Sequence, residues 1–307
     1  MSVGDRLALV GYRAGWSMVR RIPERAAYAM FDRAADAMWR RDGTSVQRMR
    51  DNYALVRPEL STAQLEDLVR AGVRSYLRYF CDAFRLPVIP IDALPERIRL
   101  TGDKEPPEIV ARGEPIVLFL GHMGNWDLCG AWSTAYFAKV TTVAERLKPE
   151  ELFNEFVEFR ESLGMRILPL TGRANPFPEL RAAIEAGGFV PLLADRDLTR
   201  RGVSVTMCGH PARVAVGPAR LALETGAALH TLAITYEPVP GKPWQRVVAH
   251  FGPRVQVPQE GSAAERTRVM TQQCVDYLGE IITAHTQDWH MMQKVFEPMT
   301  DTPRVDQ

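Results

Sequence analysis

Residues 116–132 read IVLFLGHMGNWDLCGAW. The apolar run Ile116–Leu120 reads as a buried strand that meets Gly121 and His122. A helix follows from about Asn125, with Asp127 in its first turn. Outward from this point strands alternate with helices. PIVLFL, KVTTVAE, RILPL and FVPLLAD are predicted strands, separated by helices from about 125, over 149–163 and over 176–187. Beyond residue 202 come VSVTMCG, a turn, and a helix with Pro218 in its first turn and Gly226 at its end. The strands LHTLAITYE and QRVVAHFG follow, and a last helix starts at the capping box of Ser262 and Glu265 and runs to about His285. This order predicts an α/β fold, a central and mostly parallel β-sheet flanked by helices.

Upstream, residues 4–41, 44–55 and 61–84 are predicted helices, punctuated by Pro23, Gly43 and Pro58, and 85–110 reads as irregular and proline-rich. The expectation is one domain over 1–307, with a helical amino-terminal part (1–85) and an α/β core (110–300). Apolar content of 46% and charged content of 24% suit a folded globular chain. A formal net charge of +1 gives no case for nucleic acid as a partner. Charge is local instead: residues 1–50 hold ten arginines against five acidic residues. Arg6, Arg13 and Arg20 recur every seven residues and fall on one helical face, with Leu9 and Trp16 on another. Such a helix can lie in a membrane interface or pack on the domain. The run 7–19 is too short to span a bilayer. Cys81, Cys129, Cys208 and Cys274 form no C-x-x-C and read as reduced, structural thiols.

In sheets of this kind ligands gather beyond the carboxyl ends of strands. Three polar clusters sit there: GHMGNWD, AERLKPE and ADRDLTRRG. His122 and Asp127, five apart, would point roughly 140° from each other on one helix, which excludes a helical metal pair. With His122 in the loop and Asp127 in the first helical turn, the carboxylate can reach one imidazole nitrogen. The other is then left free to accept a proton. The alternative is a helix-capping aspartate beside a strand-end histidine. GHMGNWD is not G-x-S-x-G, and a base without a protein nucleophile suits direct attack by a substrate hydroxyl on an activated acyl group.

GHMGNWD resembles the H-x-x-x-x-D/E motif of membrane-associated acyltransferases, the lipid A lauroyl acyltransferase-like group. TVAERLKPEELFNEFVEFRESLGMRILPLTG, LLADRDLTRRGVSV, GPARLALETGAAL, DWHMMQ and the opening GYRAGWSMVRRIPE are similar, in order, to the actinobacterial branch that acylates phosphatidylinositol mannosides. The resemblance implies transfer of a long-chain acyl group, usually palmitoyl, from acyl-CoA as co-substrate. The acceptor is the 6-hydroxyl of a mannose in phosphatidylinositol mannoside, and the setting a peripheral protein on the cytoplasmic face of the plasma membrane. It implies no cofactor and no metal. It puts the catalytic pair on His122 and Asp127, and an active-site carboxylate on Asp195, where the family pattern carries glutamate. Arg160 in EFRESLG and Glu224 in GPARLALETG match positions of the pattern, and Arg201, in the loop before that helix, stands where the pattern carries a small polar residue. Another lipid acceptor, a lysophospholipid or other glycolipid, and a non-catalytic glycolipid-binding homologue are the other readings.

The residues themselves give the supporting expectations. Arg160 is suited to a CoA phosphate or to orienting the acceptor. Glu145 and Arg146 can line the cleft or form a surface ion pair. Arg196, Arg200 and Arg201 form a basic loop suited to phosphates, and Glu224 can instead pair with Arg220. His210, His230, His250 and His285, together with His290 in DWHMMQ, read as structural, and no cluster has zinc spacing.

Overall fold

IVLFL forms β2 (Ile116–Leu120), every residue of which is buried. The run is continuously apolar because both of its faces are covered. Val117 and Phe119 pack into one core layer with Leu278 and Trp289, while Ile116, Leu118 and Leu120 pack into the other with Leu128 and Phe251. This computed structural model describes residues 18–145, 150–170, 175–197 and 202–297. The segment 1–17, Arg146, Arg200 and Arg201 lie outside the described residues.

β2 pairs in parallel with β5 (Phe189–Leu193) on one side and β8 (Ala228–Pro238) on the other. β8 continues antiparallel to β9 (Gln245–Arg254), and β1 (Ile98–Gly102) pairs in parallel with β9. The order is therefore β1-β9-β8-β2-β5, mostly parallel as expected. A parallel pair, β3 (Thr141–Ala144) and β4 (Arg166–Pro169), extends the layer through a bridge between Val140 and Phe189. β6 (Val203–Met207) and β7 (His210–Val214) form a hairpin whose two turn residues, Cys208 and Gly209, both have positive φ. The second strand of that hairpin was not expected from the sequence.

The helices are α1 (Glu24–Arg41), α2 (Thr44–Val56), α3 (Thr62–Arg85), the single turn α4 (Leu94–Arg97) and α5 (Glu105–Ala111). They continue as α6 (Trp126–Tyr136), α7 (Glu150–Ser162), α8 (Phe177–Glu185), α9 (Gly217–Thr225) and α10 (Ala263–Ala284). Capping boxes open α3 (Ser61, Gln64) and α10 (Ser262, Glu265), and Gly226 closes α9 at φ 74°. The segment 85–110 departs from the expectation of irregular chain. Pro87 and Pro90 sit in and before two short 3-10 turns. Pro95, Pro106 and Pro107 fall in the first turns of α4 and α5, where no backbone N–H is needed, and β1 lies between those helices. The amino-terminal helices are not a separate layer. Tyr53 of α2 donates to the Trp289 carbonyl, and Asn52 to the carbonyls of Met291 and Gln293, so they hold the carboxyl-terminal strap against the core. Among the described residues no helix is long and apolar enough to cross a membrane.

Candidate active site

The parallel register of β2 and β5 sets Leu120 beside Leu193. Two residues further on, at the carboxyl edge of each strand, stand His122 and Asp195. The imidazole Nδ1 lies 2.5 Å from Asp195 Oδ1, and the His122 backbone N–H donates to Oδ2 at 2.9 Å. Trp289 Nε1–H donates to the same Oδ2 at 2.9 Å. Asp195 is fully buried. Burial pushes its carboxyl up, but the His122 charge and the hydrogen bonds from His122 and Trp289 outweigh this and hold it below the usual carboxylate range. The shorter aspartate therefore reaches the histidine without difficulty.

Asp127 does not take the expected place. Both of its oxygens are engaged elsewhere: Tyr79 O–H donates to Oδ2 at 2.6 Å, and Arg160 grips the carboxylate through Nε at 2.7 Å and Nη2 at 3.1 Å. Nor does Asp127 cap the helix. Asn125 does so, its side chain accepting from the Leu128 N–H at 2.9 Å. A residue inside the first turn of α6 faces back toward α3 and α7, whereas the strand-end loop of β2 faces its neighbour β5. The carboxylate that orients His122 thus comes from the adjacent strand. Arg160, expected to bind a CoA phosphate or to orient the acceptor, is committed to Asp127. Burial weakens the guanidinium's hold on its proton, and the Asp127 charge more than restores it.

With Nδ1 taken, Nε2 of His122 is the nitrogen left for a substrate. His122 opens on a cleft of about 430 Å³ whose wall includes Tyr76, Tyr79, Phe80, Trp126, Arg160 and His290. Trp126 stacks on Tyr79 at 4.3 Å between centroids and meets the His122 ring edge-on. At the rim Arg196 donates to Glu145 Oε2 at 3.0 Å and also bonds Gln293. Glu145 thus lies at the cleft, as an ion-pair partner. A second, mostly apolar cavity of about 80 Å³ shares Trp126, Val143, Arg160 and Leu193 with the cleft and runs on to Met165 and Phe251. Glu224 is not brought to this site. It lies on α9, is not among the residues lining the cleft, and accepts from Arg220 at 2.7 Å, an i,i+4 pair of modest worth. Arg201 is outside the described residues.

The strap 289–292 carries residues that the sequence did not expose as functional. Met123 pairs with Trp289 across an isolated bridge, and the His290 N–H donates to the His122 carbonyl at 2.8 Å. Ser75 donates to Asp288, so its oxygen is left to accept from His290 Nε2–H. His290 Nδ1 is then a bare acceptor with no hydrogen-bond partner, in a buried ring that lines the cleft. Burial, with His122 nearby, pushes that imidazole down to about 3. It stays neutral at working pH. DWHMMQ, read as a structural segment, gave no hint that its tryptophan would hold Asp195.

Gly124 lets the loop pass. Its φ is +54°, and a Cβ there would stand 2.6 Å from the Ile234 carbonyl oxygen. Gly124→Ala is expected to lower unfolding free energy by about 2–4 kcal/mol, read from denaturant melts. A loss under about 0.5 kcal/mol would show that the loop has room to shift.

Residues 7–297 match the family model of the bacterial lipid A biosynthesis acyltransferases. The chain belongs to this family. The acyltransferase is 38% identical over 292 residues to the phosphatidylinositol mannoside acyltransferase of Mycolicibacterium smegmatis, covering 95% of this chain and 92% of that protein. It is 39% identical over 285 residues to the phosphatidylinositol mannoside acyltransferase of Mycobacterium tuberculosis H37Rv, covering 92% and 86%. For an acyltransferase the observed arrangement is apt: an oriented imidazole at a roomy cleft, with an apolar cavity beside it.

Proposed function

We propose that the protein transfers a long-chain acyl group, palmitoyl, from acyl-CoA to the 6-hydroxyl of a mannose in phosphatidylinositol mannoside. The acceptor class rests on the names of the relatives, which align over nearly the whole chain. The observation that carries the chemistry is the His122–Asp195 pair at the edge of the cleft. His122 Nε2 takes the hydroxyl proton as the sugar oxygen attacks the thioester carbonyl. Asp195 holds the proton on Nδ1 and stabilises the imidazolium. As the tetrahedral intermediate collapses, the C–S bond breaks and the imidazolium returns its proton to the CoA thiolate. A new ester and free CoA leave, and His122 is again neutral. The apolar cavity takes the start of the acyl chain, and the aromatic wall of the cleft takes the sugar face.

Asp127 contributes through Arg160 and Tyr79, fixing the wall where α3, α6 and α7 meet. The decisive experiment incubates the purified chain with labelled palmitoyl-CoA and mono- or dimannosylated phosphatidylinositol, and locates the new ester by mass spectrometry. Palmitate on a mannose 6-oxygen is the expected product. Acylation of a lysophospholipid instead would overturn the acceptor, and no transfer to any lipid would overturn the reaction.

Both substrates are amphiphiles, and the protein is proposed to sit peripherally on the cytoplasmic face of the plasma membrane through its basic amino-terminal segment. Deleting residues 1–22 is expected to release the protein from anionic liposomes in a flotation assay. Undiminished binding would assign attachment to another surface.

A further inference from the structure

A second cluster lies at the opposite edge of the sheet. β8 runs with β2, β9 runs against β8, and β1 runs with β9. The carboxyl end of β1 is therefore at the amino edge of β2, away from His122. Asp103 and Glu105 follow β1 there, and His230, the third residue of β8, faces them. Their ligand atoms all lie within 4.8 Å of one another, the one such group of three among the described residues.

The hydrogen bonds show what this cluster lacks. His230 is fully buried, and its Nδ1 lies 3.0 Å from the Gly252 carbonyl. A carbonyl only accepts, so the proton sits on Nδ1 and Nε2 presents a lone pair. That Nε2 has no hydrogen-bond partner. It points at Glu105 Oε2, 3.6 Å away. The other oxygen, Glu105 Oε1, accepts from Arg254 at 2.7 Å, and Asp103 Oδ1 caps the Glu105 N–H at 2.8 Å. A buried imidazole lone pair thus meets two carboxylates with no donor between them. A separation of 3.6 Å exceeds an N–H···O bond, but it is close to the spacing of two ligands about 2.1 Å from one tetrahedral ion, roughly 3.4 Å. A backbone carbonyl on the far ring nitrogen is also how a metal-bound histidine is usually oriented.

We propose that Asp103, Glu105 and His230 bind a divalent transition-metal ion, with His230 Nε2 and one oxygen from each carboxylate as ligands. One nitrogen and two oxygen donors suit Zn²⁺ or Mn²⁺, with Arg254 remaining on the other Glu105 oxygen. The half-buried acidic residues leave the outer side of the shell to water. At this edge the ion ties β1 and α5 to β8, a structural role away from the acyl-transfer chemistry.

The test uses tag-free full-length chain, stripped with chelator and titrated with ZnCl₂ by calorimetry and thermal melts. One ion per chain is expected, with Tm raised by roughly 3–6 °C at about a hundred-fold excess over Kd. Glu105→Gln and Asp103→Asn, both on the more exposed side, are each expected to weaken binding by about ten-fold or more. His230→Gln is expected to abolish it, and should that buried variant fail to fold, the two carboxylate variants decide. No heat and no Tm shift at millimolar Zn²⁺ would overturn the site. So would binding that survives intact in the Asp103→Asn, Glu105→Gln double variant, because the ion would then sit elsewhere, for example on the free cysteines.

Discussion

His122→Ala is expected to lower kcat/KM for acyl transfer by roughly 10³-fold, within the 10²–10⁴ range of a lost general base. The substitution removes the only nitrogen positioned by Asp195 to accept the sugar proton. It leaves the hydrogen bond from the residue-122 backbone N–H to Asp195, and Trp289 still donates to the same oxygen. The loop should therefore keep its path, but the buried Asp195 loses the imidazole that offsets its burial, so some lowering of Tm is expected alongside the rate loss. Initial rates with labelled palmitoyl-CoA, beside a thermal melt of each protein, make the comparison. A variant that acylates within about three-fold of the wild-type rate would remove His122 from the mechanism. A residual rate rising with pH is the corollary, since hydroxide then replaces the missing base.

Much of this site was legible in the sequence because its parts lie at strand ends. IVLFL announced a doubly covered strand, and GHMGNWD and ADRDL marked polar chain where strands stop. The sequence could not say which strand lies beside which. β2 and β5 are neighbours only because the chain crosses over through β3, α7, β4 and α8, so the pairing of His122 with Asp195 depends on strand order rather than on spacing. Five-residue proximity favoured Asp127, and the local argument lost to the topology. Arg160 and Tyr79 come from α7 and α3, and their grip on Asp127 has no local signature either. Residues Asp103, Glu105 and His230 carry no recognisable metal spacing for the same reason: more than a hundred residues separate β1 from β8. Local chemistry, by contrast, was read well. Both helix ends marked by Ser262 and Gly226 form as the residues dictate.

Asp195→Asn is expected to cost roughly 10³–10⁴-fold in kcat, more than Asp127→Asn, and the reason is tautomeric. Asp195 accepts on Oδ2 from two fixed donors, the His122 backbone and Trp289, and on Oδ1 from the imidazole. An asparagine has one accepting atom. Turning its oxygen to the two fixed donors satisfies both, and places its NH₂ against Nδ1. The imidazole must then accept at Nδ1 and carry its proton on Nε2, where a base needs a lone pair. The opposite flip sets the NH₂ against two N–H groups in a fully buried pocket, at a cost of about 1–3 kcal/mol for each donor left unpaired. Either way the base is impaired while the shape of the pocket is kept. Asp127→Asn acts differently. It leaves the buried Arg160 charge uncompensated and should cost about 3–5 kcal/mol of stability, with a smaller loss of kcat per folded molecule. Melts and active-site-normalised rates on both variants separate the two effects. If Asp127→Asn stayed folded and lost as much kcat as Asp195→Asn, the orienting carboxylate would have to be Asp127 after all. Asp195→Glu completes the comparison. It restores the charge and the acceptors, so it should recover kcat to within about ten-fold of wild type despite about 1–3 kcal/mol of overpacking against Gly121 and Trp289.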